Sequence, residues 1–170
     1  MKRYLCCGVA LLVLAGHACA SAQPLTPSRV AREIHVHGAQ TTVQSLNRTG
    51  RMDAVLNKIA SGNIAWVRLA SDLAKGSDAG NSTGLSVALA HALPRNPKTV
   101  LAVLDDGPVT GSAVVCSVSF IEPTQREING YLDRTIPAVE RVPESDRLPH
   151  RTACLKALQR IAEQRAAHPS

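Results

Sequence analysis

Two cysteines, Cys116 and Cys154, are the residues whose type and spacing carry the clearest chemistry in this chain. The other three of its five cysteines lie within the first 19 residues, in a stretch with the layout of a removable leader. An even pair left in an exported chain predicts one disulfide, because oxidising compartments favour paired thiols. It would close a loop of about 39 residues and stabilise the fold by roughly 4 kcal/mol. The alternative is a catalytic or metal-binding thiol beside His150, but no further pair with ligand spacing accompanies it.

The histidines and serines lack the spacings that metal and nucleophile sites require. On a helix, His35 and His37 would point about 200° apart and could not share an ion. The sequence has no H-E-x-x-H motif and no pair of C-x-x-C motifs, which are the specific zinc signals. Residues 84–88 come closest to a nucleophile elbow but lack its second glycine, and Ser71 precedes Lys75 by four residues where an S-x-x-K site needs three. We therefore predict no catalytic, metal-binding or cofactor-binding residue.

Two adjacent carboxylates, Asp105 and Asp106, fall at the expected C-terminus of a helix. Acids there oppose the helix macrodipole, at a cost of about 0.3 kcal/mol or more each. We expect them to be solvated or paired with an arginine of the basic last helix. A calcium site with Thr110 and Ser112 is the alternative, although its ligand spacing matches no known loop.

Trp66 and Asp78 are the two residues that we single out as possible contacts with a partner. Trp66 lies beside an apolar helical stripe and is expected in the core; exposed, it would be an anchor for a partner. Asp78, with Ser77, is expected to cap a helix. Asp78 and Ser77 belong to a run of polar and glycine residues at 75–84 that predicts a turn.

The first 22 residues have the layout of a secretory signal peptide. Lys2 and Arg3 precede an apolar run at 5–15, and small residues follow at 20–22. The run is too short to span a bilayer as a helix, and no later stretch approaches about 18 apolar residues. We predict a periplasmic or secreted bacterial protein, without a membrane span.

The cleavage site has two candidates, after Ala22 and after Ala20. Lipidation at Cys19 is a disfavoured alternative, because no large aliphatic residue stands three positions before it. Residues 23–170 would then form a single helical domain, ordered over 27–166.

Composition favours helices and argues against nucleic-acid binding. Aromatic residues make up 2% of the chain, and alanine and leucine dominate its apolar content. Removing the leader leaves 17 basic and 13 acidic side chains, with the excess near the C-terminus. We expect that stretch to be a solvated helix face; an anionic envelope surface is the alternative. Basic residues are not interleaved with aromatic ones, which disfavours nucleic acid as a partner.

Apolar residues recur with helical spacing along most of the mature chain. Residues 107–123, which are rich in β-branched side chains, are the exception and are expected to be a buried extended segment held by Cys116. Pro137 is expected inside a long helix, where it can introduce a kink. Eight stretches show this periodicity, and we expect them to form about seven short helices. The stretches are 28–37, 39–47, 52–60, 64–73, 85–93, 97–106, 123–139 and 148–167.

A weak internal repeat has an offset of 33 residues. Residues 60–72 and residues 93–105 both have the pattern helix, tight turn, helix, which is typical of helical-hairpin repeats. We therefore predict antiparallel hairpins, arranged as an orthogonal bundle or a short repeat-like stack and closed by one disulfide.

Five short runs carry a resemblance to known proteins: 60–66 (A-S-G-N-I-A-W), 77–80 (S-D-A-G), 92–94 (A-L-P), 120–123 (F-I-E-P) and 153–154 (A-C). Together they resemble a set of uncharacterised small secreted helical proteins of Gram-negative bacteria. The resemblance covers most of the mature chain and implies the exported location and the helical fold. It implies no catalytic residue, since no function is assigned to that set.

These observations favour a non-enzymatic binding module of the cell envelope, with another envelope protein as its partner. One alternative is a small envelope hydrolase, which would need a cleft that gathers Asp105, Asp106 and Glu122 with His91 or His150. The other is an inhibitor or immunity-type protein, which would present a protruding charged loop such as 75–84.

Overall fold

Ten α-helices and one 3-10 turn make up most of the chain that the structure describes, residues 24–118 and 120–167 of a computed structural model. The predicted all-α fold with a Cys116–Cys154 disulfide is confirmed. The β pairing within these residues is limited to an isolated bridge between Asp105 and Gly111. The helices are α1 Pro27–His37, α2 Ala39–Arg48, α3 Met52–Ala60, α4 Ile64–Val67, α5 Ala70–Ala74, α6 Ala79–Ala92, α7 Pro97–Val103, α8 Ser112–Val115, α9 Gln125–Glu140 and α10 Arg151–Ala167, with the 3-10 turn at Glu144–Asp146.

Two helices arise where periodicity predicts something else. The single helix expected at 64–73 is interrupted at Arg68 and Leu69 and divides into α4 and α5. The extended segment expected at 107–123 is wrong for residues 112–115, which form the one-turn helix α8. The amides of this turn donate to the Gly111 carbonyl, so local hydrogen bonds override the preference of β-branched residues for extended backbone.

The polar turn expected at 75–84 is also wrong in its second half, because α6 begins at Ala79. The Asp78 carboxylate accepts hydrogen bonds from the backbone N–H of Asn81 at 3.0 Å and from its side-chain amide at 2.8 Å. From this cap, α6 continues through two glycines, Gly80 and Gly84. At Gly84 a Cβ would stand 2.8 Å from a Leu56 methyl group, so the glycine lets α3 lie close against α6.

The two halves of the internal repeat contact each other directly. Asn63 caps α4 and Asn96 caps α7, each with its side-chain oxygen. The Asn96 side-chain amide also donates to the Gly62 carbonyl at 3.0 Å, which joins the two turns. Gly62 has φ +76°, and a Cβ there would stand 2.9 Å from the Cβ of Arg95. The hairpins α3–α4 and α6–α7 therefore stack side by side, as the repeat predicts.

Helices α9 and α10 pair antiparallel, and two arginines of α10 bind the ends of α9. Arg151 donates to the Val142 carbonyl at 2.7 Å and to the Glu140 carbonyl at 2.9 Å. Arg165 donates to the Asn129 side chain at 2.8 Å, at the other end of α9. Part of the basic excess expected on a solvated face is thus used inside the fold, where it satisfies carbonyls at a helix C-terminus.

Aliphatic side chains fill one continuous hydrophobic cluster. Trp66 belongs to it with 4% of its surface exposed. The largest side chains that are fully buried in it are Ile59, Leu73, Leu85, Leu89, Leu93, Leu101 and Leu158.

The predicted signal peptide at 1–22, with both candidate cleavage sites and Cys19, lies outside the described residues. Within the described part, no helix combines the length and the apolar character that crossing a membrane requires.

The disulfide should account for a large share of the stability. Replacing both Cys116 and Cys154 by serine should lower the free energy of unfolding by about 4 kcal/mol, because it frees the loop between them in the unfolded chain. Urea unfolding followed by far-UV circular dichroism measures this change. Reducing the wild type with dithiothreitol should cause the same loss, whereas the double variant should not respond to reductant. Equal midpoints for all four samples would contradict the prediction.

A second prediction concerns the turn before α6, where the chain passes close to the start of α2. A Cβ at Gly76 would stand 2.2 Å from the Ala39 carbonyl carbon and 2.3 Å from the Gln40 nitrogen. Since neither backbone atom can move freely, Gly76→Ala should destabilise the protein by about 2 kcal/mol or more.

The matched control for this prediction is Gly80→Ala, because Gly80 is exposed in the first turn of α6. A Cβ there meets nothing nearer than the Asp78 carboxylate at 3.8 Å. This substitution should stabilise the helix by about 0.5 kcal/mol. Similar midpoints for the two variants in thermal unfolding would refute the close approach at Gly76.

Candidate functional site

The residues singled out in the sequence do not form a site around the cysteines. Cys116 and Cys154 are joined, with their Cα atoms 5.3 Å apart, and both side chains are fully buried. Neither carries a free thiol. His150 lies with Nδ1 3.7 Å from the Asp106 carboxylate, which is 95% exposed. The disulfide therefore removes Cys154 as the thiol that His150 was to accompany.

Trp66 and Asp78, the two residues singled out as candidate partner contacts, each have a role within the fold. Trp66 is buried in the core, so its side chain is not at the surface in this fold. Asp78 is exposed, and its carboxylate caps α6. Trp66 and Asp78 therefore do not combine into one surface.

Asp105 lies beyond the end of α7, not at the helix C-terminus where the sequence places it. Its carboxylate accepts from the Gly107 N–H at 2.8 Å and from the Thr110 hydroxyl at 2.7 Å. The loop is fixed to α6 by the Ser86 hydroxyl, which donates to the Val109 carbonyl at 2.7 Å. Asp105 thus organises a loop, and no group of three metal-ligating side chains exists in the part of the chain that the structure describes.

A concave surface of about 650 Å³ lies between α6 and α9 and brings several functional groups together. We call it the aromatic groove. On α6, Val87 and His91 are one turn apart and face it. On α9, the groove follows the stripe in which residues recur every four positions. Its lining consists of Val87, His91, Phe120, Ile121, Pro123, Arg126, Glu127, Gly130, Tyr131 and Arg134.

Three rings form the wall of the aromatic groove. The imidazole of His91 stacks on Phe120 with centroids 4.6 Å apart and planes 19° apart. Phe120 meets Tyr131 edge to face with centroids 4.8 Å apart. Both arrangements are favoured by the quadrupoles of aromatic rings. The chain has one Phe and two Tyr, so this wall takes half of its four Phe, Tyr and Trp residues.

Tyr131 has an unusual polar atom. The residue is 3% exposed, and its buried hydroxyl has no hydrogen-bond partner within the described residues. Burial raises the pKa of this phenol well above its ordinary value, against a smaller opposing effect of the Thr135 hydroxyl, so Tyr131 is neutral at physiological pH. Leaving such a group unpaired costs about 1–3 kcal/mol.

His91 is held towards its neutral form. Burial lowers the pKa of the imidazole, and the positive charge of Arg95, one helical turn further on, lowers it again. Arg95 also donates to the backbone carbonyl of His91. A neutral imidazole stacks on Phe120 without the cost of desolvating a charge.

Glu127 is the carboxylate of the aromatic groove, and it is already in use. Its side chain accepts from the Thr124 N–H and the Thr124 hydroxyl, each at 2.8 Å, in a capping box at the start of α9. These hydrogen bonds lower the pKa of Glu127. The carboxylate is therefore ionised and fixed as a cap, which removes it as a general acid.

A second concave surface of about 490 Å³ adjoins the aromatic groove and shares His91, Tyr131 and Arg134 with it. It adds two arginines and one acid to the lining. The added residues are Pro94, Arg95, Asp133, Ala138 and Arg141.

The described lining of the aromatic groove has the character of a ligand site. It contains no serine, threonine or cysteine side chain. Asp105, Asp106 and Glu122 do not line it either. Apolar walls with a few convergent polar groups are typical of ligand sites.

Sequence reasoning missed this site, although it named His91. Phe120 and Tyr131 have the pattern of core residues, and nothing in the order of residues pairs α6 with α9. The available signal was the spacing of Arg126, Gly130 and Arg134, which puts two cations and a glycine on one helical face.

No protein-family model, curated protein or solved structure matches this chain. The resemblance to small secreted helical proteins therefore stays a prediction, and the function must be argued from the aromatic groove.

The lowered pKa of His91 can be measured directly. Titration of its imidazole by NMR should give a pKa below the ordinary 6.5. Because the folded-state pKa lies below that of the unfolded chain, His91 stabilises the fold fully above about pH 6.5 and progressively less as the pH falls through the folded-state value.

Two charge substitutions test the cause. Arg95→Gln should raise the pKa of His91, since it removes the neighbouring cation. Arg141→Gln, which removes a cation from the adjoining surface, should leave that pKa nearly unchanged. A His91 pKa above 6.5 in the wild type would contradict the proposed environment.

Proposed function

We propose that this chain is an exported, non-enzymatic binding module of the bacterial cell envelope, and that it holds its ligand in the aromatic groove. Support for export comes from the signal-peptide layout of the first 22 residues and from the disulfide, a bond typical of oxidising compartments. The location is periplasmic or secreted in this proposal.

The observation that carries the binding role is the wall of contacting rings, His91, Phe120 and Tyr131, that lines the aromatic groove. The groove has a volume of about 650 Å³, within the size range of small-molecule sites. Apolar walls accompanied by a few charged groups, here Arg126 and Arg134, are typical of such sites.

The hydrolase alternative gains no support from these contacts. It needs acids and a histidine in one cleft, but His91 lines the aromatic groove without Asp105, Asp106 or Glu122. His150 contacts Asp106 elsewhere on the surface. The inhibitor alternative is weakened as well, since α6 takes up 79–84 and shortens the loop that was to protrude.

Another envelope protein could contact the rim of the aromatic groove at Ile121, which is 80% exposed. A small ligand in the groove and a protein at its rim would both lie within reach of position 121. A photoreactive residue at this position would therefore crosslink to either one. Val36, 62% exposed on α1, is a matched aliphatic control outside the groove.

The test is photo-crosslinking in living cells of a Gram-negative host. A photoreactive amino acid replaces Ile121 or Val36 in the full chain, and intact mass is measured after irradiation. We expect a discrete adduct at position 121 that is absent at position 36. Its added mass distinguishes a small molecule from a protein, and the mass of the unmodified chain shows whether residues 1–22 or 1–20 were removed.

Two results would overturn the proposal. An unprocessed chain retained in the cytoplasm would refute export. No adduct at position 121, or the same set of adducts at both positions, would refute the aromatic groove as the binding surface.

A further inference from the structure

We infer that the ligand of the aromatic groove is a small organic anion with a planar ring, its ring against the wall formed by His91, Phe120 and Tyr131 and its acidic group on Arg126 and Arg134. This inference rests on the proposed function and specifies its ligand class.

The planar ring is indicated by the groove wall. Phe120 lies between His91 and Tyr131, with centroids 4.6 Å and 4.8 Å away. Three rings in contact present flat, polarisable faces and edges that a ring can pack against in offset or edge-to-face geometry. In a chain of 2% aromatic residues, this is where the rings concentrate. Val87 and Ile121 add aliphatic contacts.

The negative charge is indicated by two arginines. Arg126 and Arg134 lie two turns apart on the face of α9 that lines the groove. Neither has an ion pair or a hydrogen bond to a side chain in the described residues, in contrast to Arg29 and Arg151, which pair with Glu33 and Glu144. A planar guanidinium binds a carboxylate, sulfonate or phosphate through two parallel N–H groups.

Charge on the surrounding surface agrees with this assignment. The aromatic groove and the surface that adjoins it contain four arginines and two acids. One of the acids, Glu127, is held by the Thr124 cap, which directs its oxygens to the start of α9. The surplus of cations favours an anion over a neutral or cationic ligand.

Gly130 sets where the Arg134 guanidinium can lie. It stands in the middle of α9, between Arg126 and Arg134, where a glycine costs about 1 kcal/mol relative to alanine. A Cβ at this position would stand 3.3 Å from Nη1 of Arg134. The missing side chain thus lets this guanidinium approach α9 between the two ends of the groove face.

The inference is tested with two fluorescent probes that share one ring system. 8-Anilinonaphthalene-1-sulfonate carries a negative charge, and N-phenyl-1-naphthylamine does not. Both are titrated onto the mature, disulfide-bonded protein at low salt. We expect the anionic probe to bind about a hundredfold more tightly, because a hydrogen bond to a charged group is worth about tenfold and each of the two arginines donates one.

Substitutions then locate the two parts of the site. Arg134→Gln and Arg126→Gln should each weaken the anionic probe about tenfold and leave the neutral probe within about twofold. Arg160→Gln, on an exposed position of α10, is the matched control and should change neither. Gly130→Leu should block both probes by filling the groove. It should also raise the midpoint of thermal unfolding, because leucine is a better helix former than glycine.

The outcomes separate this inference from the proposed function. Equal affinities for the two probes, or losses that are the same for Arg134→Gln and Arg160→Gln, would refute the anion while leaving a binding groove. Binding of both probes by Gly130→Leu would place them outside the groove and refute the inference. Failure of the proposed function would appear separately, as the absence of a crosslink at position 121.

Discussion

The disulfide between Cys116 and Cys154 fixes the parts of the molecule on which the groove depends. It joins the end of α8 to α10, and α8 also packs against α6, while α10 packs along α9. The two helices that carry the groove walls, α6 and α9, are thus connected through α8, the disulfide and α10. Phe120 follows Cys116 by four residues, so the same bond sets where its ring can lie. Without it, the pairing of α6 with α9 would rest on noncovalent packing alone.

Charge in this protein has two separate uses. The arginines of α10 bind the ends of α9: Arg151 satisfies carbonyls at its C-terminus, and Arg165 reaches Asn129 near its start. Such contacts stabilise the helix pair and leave little of those cations for a partner. Arg126 and Arg134 lie instead on the groove face of α9. A net charge read from composition cannot distinguish these uses, which explains why the basic C-terminal stretch predicted a solvated face.

Most of the helices could be predicted because their apolar residues recur on one face, as in α3, where Val55 and Ile59 are fully buried. The start of α6 could not, since Gly80 and Gly84 have low helix propensity and only the Asp78 cap and the contact of Gly84 with Leu56 favour a helix there. The groove was missed for a different reason. An aromatic residue on a helix face has the same pattern whether it lines a core or a cavity, and only the tertiary pairing of α6 with α9 decides between them.

The backbone around Phe120 supports a functional interpretation of the groove. Val118 has φ 59° and Glu122 has φ 47°, both in the left-handed region. For a β-branched valine this conformation is a genuine outlier, and each such residue costs about 1–2 kcal/mol. A chain that needed Phe120 only as core could bury its ring in regular helix, as Leu89 and Leu93 are buried. Strain of this kind persists where surrounding contacts impose it, and it concentrates at binding and catalytic sites. Here it brings an aromatic ring between His91 and Tyr131, which argues that the position of the ring, more than its burial, is what the fold maintains.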